Sequence, residues 1–266
     1  MLASRTCILS AAFVVLASPV VAQSTGAKGD WSLRLGGAAL VAPTYEGSDS
    51  VAVRPLPLIE LSWRDTIFLD TRRGLGANLL NFGDRNESGA WKIGPIANWR
   101  FARNEDDDDD LRGLGDLKGG IDVGAFVQYS LGQFDFNVVG KRNVSESDLG
   151  GTVELGASYR LAPIGKVLVS LGPSATWADG DYMKSYFGVA ADRVRASGLS
   201  SYEPSAGVKD IGFGVSAMYP IGPNWAVSTF GNFKRLLGDA ADSPLVKDRG
   251  SENQLSFGLA VSYKLY

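Results

Sequence analysis

The chain has no histidine among its 266 residues. That removes the commonest general base, the commonest zinc ligand and the ordinary pH switch. A Ser-His-Asp or Cys-His hydrolase is excluded with it. There is one cysteine, Cys7, and it lies in the first 22 residues. Beyond them the chain has no disulfide, thiolate nucleophile or cysteine metal site. From Gln23 onward no apolar run approaches the ~18 residues that a membrane helix needs. Nor is there a basic excess. Without residues 1–22, 25 basic residues stand against 29 acidic ones, a balance that points away from nucleic acid as a partner.

Residues 1–22 read as a secretory signal peptide. Arg5 supplies the positive start, Ile8 to Ala17 the short apolar stretch, and Val20-Val21-Ala22 the small residues before a cut between Ala22 and Gln23. The expected organisation is therefore a leader over 1–22 and one domain over 23–266.

What fills that domain is alternation of period two. Val153, Leu155, Ala157, Tyr159 and Leu161 oppose Thr152, Glu154, Gly156, Ser158 and Arg160. The pattern recurs at 121–129, at 211–219 and at 255–265, one face apolar and the other small and polar. Each run has about the 9–11 residues with which a tilted strand crosses a bilayer. A soluble sandwich can alternate too, so the connections decide. Tight ones at 131–133, 162–165 and 220–223 alternate with long polar ones at 104–118, 143–150, 178–209 and 237–253. Short periplasmic turns and long outer loops make that asymmetry in outer-membrane barrels. Trp31, Trp63, Trp91, Trp99, Trp177, Trp225 and Tyr266 sit near segment ends, where an interfacial girdle belongs.

These features predict an all-β fold, a transmembrane antiparallel β-barrel. Eleven segments can be counted, whereas single-chain bacterial barrels usually have an even number. Splitting the longest, 66–81, at Arg72-Arg73-Gly74 gives twelve strands; ten follow if one early segment is a loop or plug. Twelve is the favoured count.

Several motifs resemble one family. They run in order through Pro43-Thr44-Tyr45-Glu46-Gly47-Ser48, Gly74-Leu75-Gly76-Ala77-Asn78-Leu79 and Leu111-Arg112-Gly113-Leu114-Gly115-Asp116. The most specific stretches are Ala178-Asp179-Gly180-Asp181-Tyr182-Met183-Lys184-Ser185-Tyr186-Phe187-Gly188-Val189 and Ser197-Gly198-Leu199-Ser200-Ser201-Tyr202, followed by Leu236 to Val246. Together they resemble the MipA/OmpV family of outer-membrane proteins. The resemblance implies an outer-membrane barrel and a non-enzymatic scaffold that binds a murein lytic transglycosylase and a penicillin-binding synthase. It carries over no functional residue and implies no cofactor. Outer-membrane lipids are the other expected partner. A small-solute pore and a surface adhesin remain as alternatives. The connections at Trp63 to Asp65 and Phe82 to Gly89 are the expected periplasmic contacts.

Candidate chemistry is sparse. The run Glu105 to Asp110 includes five adjacent aspartates, Asp106 to Asp110, which either stay solvated or collect a hard cation. Asp179 and Asp181 are close enough for acid–base work, yet they suit loop-structuring hydrogen bonds better, as do Asp239 and Asp242. Lys184 beside Ser185 is too common a pairing to indicate a nucleophile. Residues Ser185 to Ala196 have a loose helical spacing, which predicts a short helix folding over or into the barrel mouth.

Overall fold

The computed structural model describes residues 30–266; the expected leader, and the cut between Ala22 and Gln23, lie outside them. Alternating sequence becomes strand throughout. The segments are β1 (Trp31–Pro43), β2 (Val51–Trp63), β3 (Ile67–Asp70), β4 (Gly74–Ala77), β5 (Leu80–Asp84), β6 (Gly89–Arg100), β7 (Gly120–Leu131), β8 (Phe134–Asn143), β9 (Gly151–Arg160), β10 (Leu168–Ala178), β11 (Gly207–Ile221), β12 (Trp225–Leu236) and β13 (Asn253–Lys264). All neighbours pair antiparallel. β4 and β5 both lie along β6, through Leu75 opposite Ala97 and Leu80 opposite Ile93, so they are two halves of one stave. β13 closes the ring on β1, from Arg34–Lys264 to Val41–Phe257. Thirteen segments thus make twelve staves, with the extra turn at 71–73 where Arg72-Arg73-Gly74 places it.

Closure of β13 on β1 removes the sheet edges that a bilayer would leave unsatisfied, except beside residues 51–58 of β2, where β3 pairs only with Glu60 to Trp63. No helix of the described residues is long and apolar enough to cross a membrane, and the ring closed by β13 and β1 is built of strands. Their outward residues are apolar and uncovered: Leu255, Phe257 and Leu259 of β13 are each more than half exposed. An aromatic chain runs round the short-turn end, Trp91–Tyr129–Phe136–Phe134–Tyr159, with successive centroids 4.5–6.3 Å apart. Trp31 with Trp63, and Trp225 with Tyr263, continue it.

The lumen has two unlike walls. Asn137, Ser158, Ser170, Ser174, Ser216 and Asn232 line a polar cavity on one side. On the other, Phe68, Ile96 and Phe126 form a buried apolar cluster with Val139 packed against it. Inward glycines make room for rings: a Cβ on Gly76 or Gly258 would lie 2.4 or 2.3 Å from Phe68 or Phe230.

Candidate functional site

The long loops build a second core over the outer mouth. Asp179 starts α1 (Gly180–Phe187): its carboxylate accepts the Tyr182 N–H at 2.9 Å and the Gly151 N–H at 2.9 Å. Arg142 of β8 then bridges Asp179 and Asp181. The helix stops at Gly188 because the chain turns extended there, and Val189 pairs with Tyr202. A second turn, α2 (Val194–Ser197), ends on left-handed Gly198. Sequence spacing predicts one helix over 185–196. The capping aspartate starts it earlier, and the extended residues at 188–189 break it in two.

Between β12 and β13 lie α3 (Gly238–Asp242) and α4 (Pro244–Arg249). The Ser243 hydroxyl caps α4 and donates to the Phe187 carbonyl at 2.6 Å, tying the two long loops together. Tyr182, Met183 and Phe187 bury against Ala178, Leu236, Ala240 and Val246. A second cluster joins Tyr45, Leu111, Val189, Leu199 and Leu245, so four loops contribute. Arg249 clips them by donating to the carbonyls of Asp110 and Ser197.

Beneath this cap lies a buried charge cluster. The register of β10 and β11 slips by one residue at Thr176/Trp177, which inserts Lys209 beside Asp210. The Lys209 ammonium pairs with Glu46 and, at 2.8 Å, with Asp210. Asp210 also accepts from Thr176 at 3.0 Å and faces Lys234 at 3.5 Å. The Tyr182 hydroxyl donates to Glu46 at 2.8 Å. Its ring lies 5.6 Å from the Lys209 ammonium and 5.2 Å from the Arg100 guanidinium. Arg100 belongs to β6 and Lys209 to β11, five staves apart in a ring of twelve. One phenol therefore lies between cations carried by staves on nearly opposite sides of the ring.

Burial pushes the phenols of Tyr182, Tyr186 and Tyr45 above their ordinary value near 10, and Glu46 adds to the rise at Tyr182. These phenols stay protonated, and the Tyr182 hydroxyl acts as a donor to Glu46. Burial also lowers the Arg103 guanidinium, which donates to the Tyr186 carbonyl at 3.2 Å. The arrangement is chemically a latch, with paired charges holding a lid.

The other candidates from the sequence are used as loop struts. Asp108 accepts from Thr44 at 2.6 Å and from the Asp110 N–H, Asp107 from the Asn104 N–H, and Asp109 pairs with Arg112. The acidic run is thereby divided among separate donors, and no group of three or more acidic residues among the described ones is placed to hold a metal ion. Asp239 accepts from the Ser205 N–H, and Asp242 pairs with Lys247. Lys184 pairs with Glu203 while Ser185 donates to the Asp148 carbonyl, so the two serve different partners. Sequence reasoning misses the Lys209–Glu46–Tyr182 triangle. Its partners are 136 and 163 residues apart, and the available signal is two adjacent charges, Lys209-Asp210, heading an alternating strand.

The opposite end is spare. Its turn at 64–66 holds Arg64 and Asp65 at φ 50° and 54°. Arg64 grips Asp30 with two bonds of 2.9 Å, and Asp65 pairs with Lys92 at 2.6 Å. Residues Asp84 to Gly89 make a second tight turn there.

The family model described as MltA-interacting protein MipA matches residues 35–265. Outer membrane protein OmpV of Vibrio cholerae serotype O1 is 26% identical over 165 residues, 61% of this chain. That match covers 61% of OmpV, less than two thirds of its length. Among solved structures, the CymD monoaromatic hydrocarbon channel is 10% identical over 90% of this chain and 88% of its own, with a TM-score of 0.41. OprD from Pseudomonas aeruginosa is 11% identical over 91% and 96%, with a TM-score of 0.35.

Proposed function

The chain belongs to the MipA family, and on that premise we propose that it is a non-enzymatic outer-membrane scaffold that holds peptidoglycan-remodelling enzymes at the periplasmic face. Residues 1–22 direct its export and are cut off after Ala22. The barrel then serves as an anchor, with a murein lytic transglycosylase and a penicillin-binding synthase as its partners. The observation that carries this reading is the outer cap: a mouth with Tyr182 held between Arg100 and Lys209, sealed by two apolar clusters, suits an anchor better than a conduit. The short-turn end, with its paired charges Asp30–Arg64 and Asp65–Lys92, is the surface left for a periplasmic partner.

The test is retention of a lytic transglycosylase from detergent-solubilised envelope by the tagged, folded barrel. A charge-reversed pair, Arg64→Glu with Lys92→Glu, should release it. Failure of the unaltered barrel to retain either enzyme would overturn the proposal. A pore is the second reading, favoured by the polar wall of Asn137, Ser170, Ser216 and Asn232. Single-channel recording separates the two: the scaffold is silent in a planar bilayer, and the pore conducts with its cap in place.

A further inference from the structure

The barrel wall has a notch. β2 runs thirteen residues, but its neighbour β3 pairs only with Glu60 to Trp63, and the hairpin turns back at 71–73. Beyond that point residues 51–58 pair with β1 on one side, and among the described residues no strand pairs along the other. The hairpin tip lies opposite Ile59, four residues from Trp63 in the aromatic belt, hence about 10 Å into a ~25 Å apolar band. The missing wall faces the outer half of the membrane. Above it the gap is closed by the Thr44–Asp108 hydrogen bond at 2.6 Å.

This edge is partly finished chemically. The Ile59 N–H donates to Thr71 Oγ1, and the Ile59 carbonyl accepts the Thr71 N–H, so the odd residues of β2 turn their backbone toward the notch. The next two in that row are Pro55 and Pro57, which have no N–H to leave unsatisfied in lipid. They also deny the edge to an added strand, which would need those donors.

Behind the notch lies the apolar wall of the lumen. Leu56 and Leu58 share the inward face of β2 with Arg54 and Glu60, and Phe68 packs edge-on to Phe126 at 5.8 Å. The lower lip is cationic. Arg73 lies with its guanidinium 4.1 Å over the Phe68 ring, and Arg72 pairs with Glu60 and Asp70. With Arg34, three arginines face two carboxylates, Glu60 and Asp70, at mid-membrane depth. Arginine there is costly, so an excess of positive charge facing an opening to lipid marks a site for an anion.

We infer that the notch is a lateral binding site for an anionic membrane lipid, its headgroup drawn in to Arg72 and Arg73 and its acyl chains passing between the Pro55–Pro57 edge and the outer end of β6. The charge of the lip selects the headgroup, the apolar lining accepts the chain, and the prolines leave the passage unobstructed by strand pairing. The site is independent of any periplasmic partner, so its failure leaves the scaffold reading untouched.

The full barrel is reconstituted in vesicles of equal phosphatidylglycerol and phosphatidylcholine, re-extracted in mild detergent, and its retained lipid measured by native mass spectrometry. Phosphatidylglycerol should be enriched several-fold. Arg73→Gln should return the ratio to that of the vesicle, Arg73→Lys should keep most of it, and Leu56→Trp, which fills the notch without touching charge, should lower total retained lipid. Equal retention by the unaltered barrel, enrichment unmoved by Arg73→Gln, or total retained lipid unmoved by Leu56→Trp would overturn the site. Should Arg73→Gln fail to fold, a nitroxide label on one introduced cysteine tests the same opening, because the chain's single cysteine, Cys7, leaves with the proposed leader. At Leu56→Cys it should favour lipid-soluble oxygen over an aqueous nickel chelate, and at Ser174→Cys on the far wall the reverse. Aqueous preference at both positions would sink the proposal.

Discussion

The two ends of this barrel solve opposite problems with different chemistry. At the outer end, loops of up to 28 residues between strands bury a core of their own, with Phe187, Ala178 and Ala240 wholly removed from solvent. At the other end the turns are short, and order comes from exposed ion pairs and a belt of rings at the bilayer surface. Apolar burial stabilises in proportion to area, whereas exposed ion pairs contribute little. The outer loops should therefore behave as a cooperative unit, and the turns as independent pieces.

The most disruptive test removes the largest fully buried side chain of the cap. Phe187→Ala should cost the cap about 3–5 kcal/mol, because the cavity is lined by helices that cannot collapse into it. Loosened loops expose Lys184, Arg193 and Arg195 to trypsin, while the strands keep the heat-modifiable migration of a closed barrel. If the strands unfold together with the cap, the two regions are one cooperative unit and the contrast fails.

Next in size is Lys209→Met, which leaves Glu46 and Asp210 without their shared ammonium. Taking one partner from a buried pair costs on the order of 3 kcal/mol. Here Lys234, Thr176 and the Tyr182 hydroxyl still reach the two carboxylates, which limits the loss. The expected result is faster tryptic cutting of 184–195 than in the unaltered protein, yet slower than in Phe187→Ala. Restoring the charge with Lys209→Arg should recover little, since a guanidinium does not fit the ammonium's enclosed place between Glu46, Asp210 and the Tyr182 ring.

That contrast also explains what can be read from residue order. Strand faces, the split at Arg72-Arg73 and the alternation of short with long connections are legible because period two and turn chemistry are local. Thus alternation over 152–161 predicts a strand, and Gly151–Arg160 is one. The cap is legible only as helical spacing within 185–196, placed five residues too late, since the determinants are an aspartate cap at 179 and contacts across the mouth. The strut role of Asp179 follows from turn preference, but its partner Arg142 does not. The notch is hidden in the sequence because a four-residue strand looks like the middle of a longer one.

A smaller effect follows from the buried phenol of Tyr182. Its folded value is raised by burial, so the folded cap retains the proton where the opened cap would lose it. Stability is complete below the ordinary phenol value near 10 and falls as pH rises above it, by at most about 1.4 kcal/mol per pH unit for this group. Absorbance at 295 nm should show an ionisation delayed beyond pH 10 that coincides with protease sensitivity of 184–195, and Tyr182→Phe should remove its share. Ionisation near 10 with the cap still closed would mean that water reaches the phenol, and the seal would be lost as an argument against a pore.

The smallest change is expected at the spare end. Arg64 and Asp65 both hold left-handed φ, a conformation that costs about 1 kcal/mol or more per residue for side-chain-bearing residues and suits Asn-Gly in a two-strand turn. The double change Arg64→Asn, Asp65→Gly relieves that strain and at the same time removes the Arg64–Asp30 and Asp65–Lys92 pairs, both well exposed. Exposed pairs contribute up to about 1 kcal/mol each. Strain relieved and pairing lost nearly cancel, so the urea midpoint should move by less than its scatter and the cap should not change in trypsin sensitivity. A large loss would show that these charges are coupled to the aromatic belt beside them, where the Arg64 guanidinium lies 5.1 Å from the Trp63 ring. The spare end would then be as cooperative as the cap, and its charges would be structural before they were available to any partner.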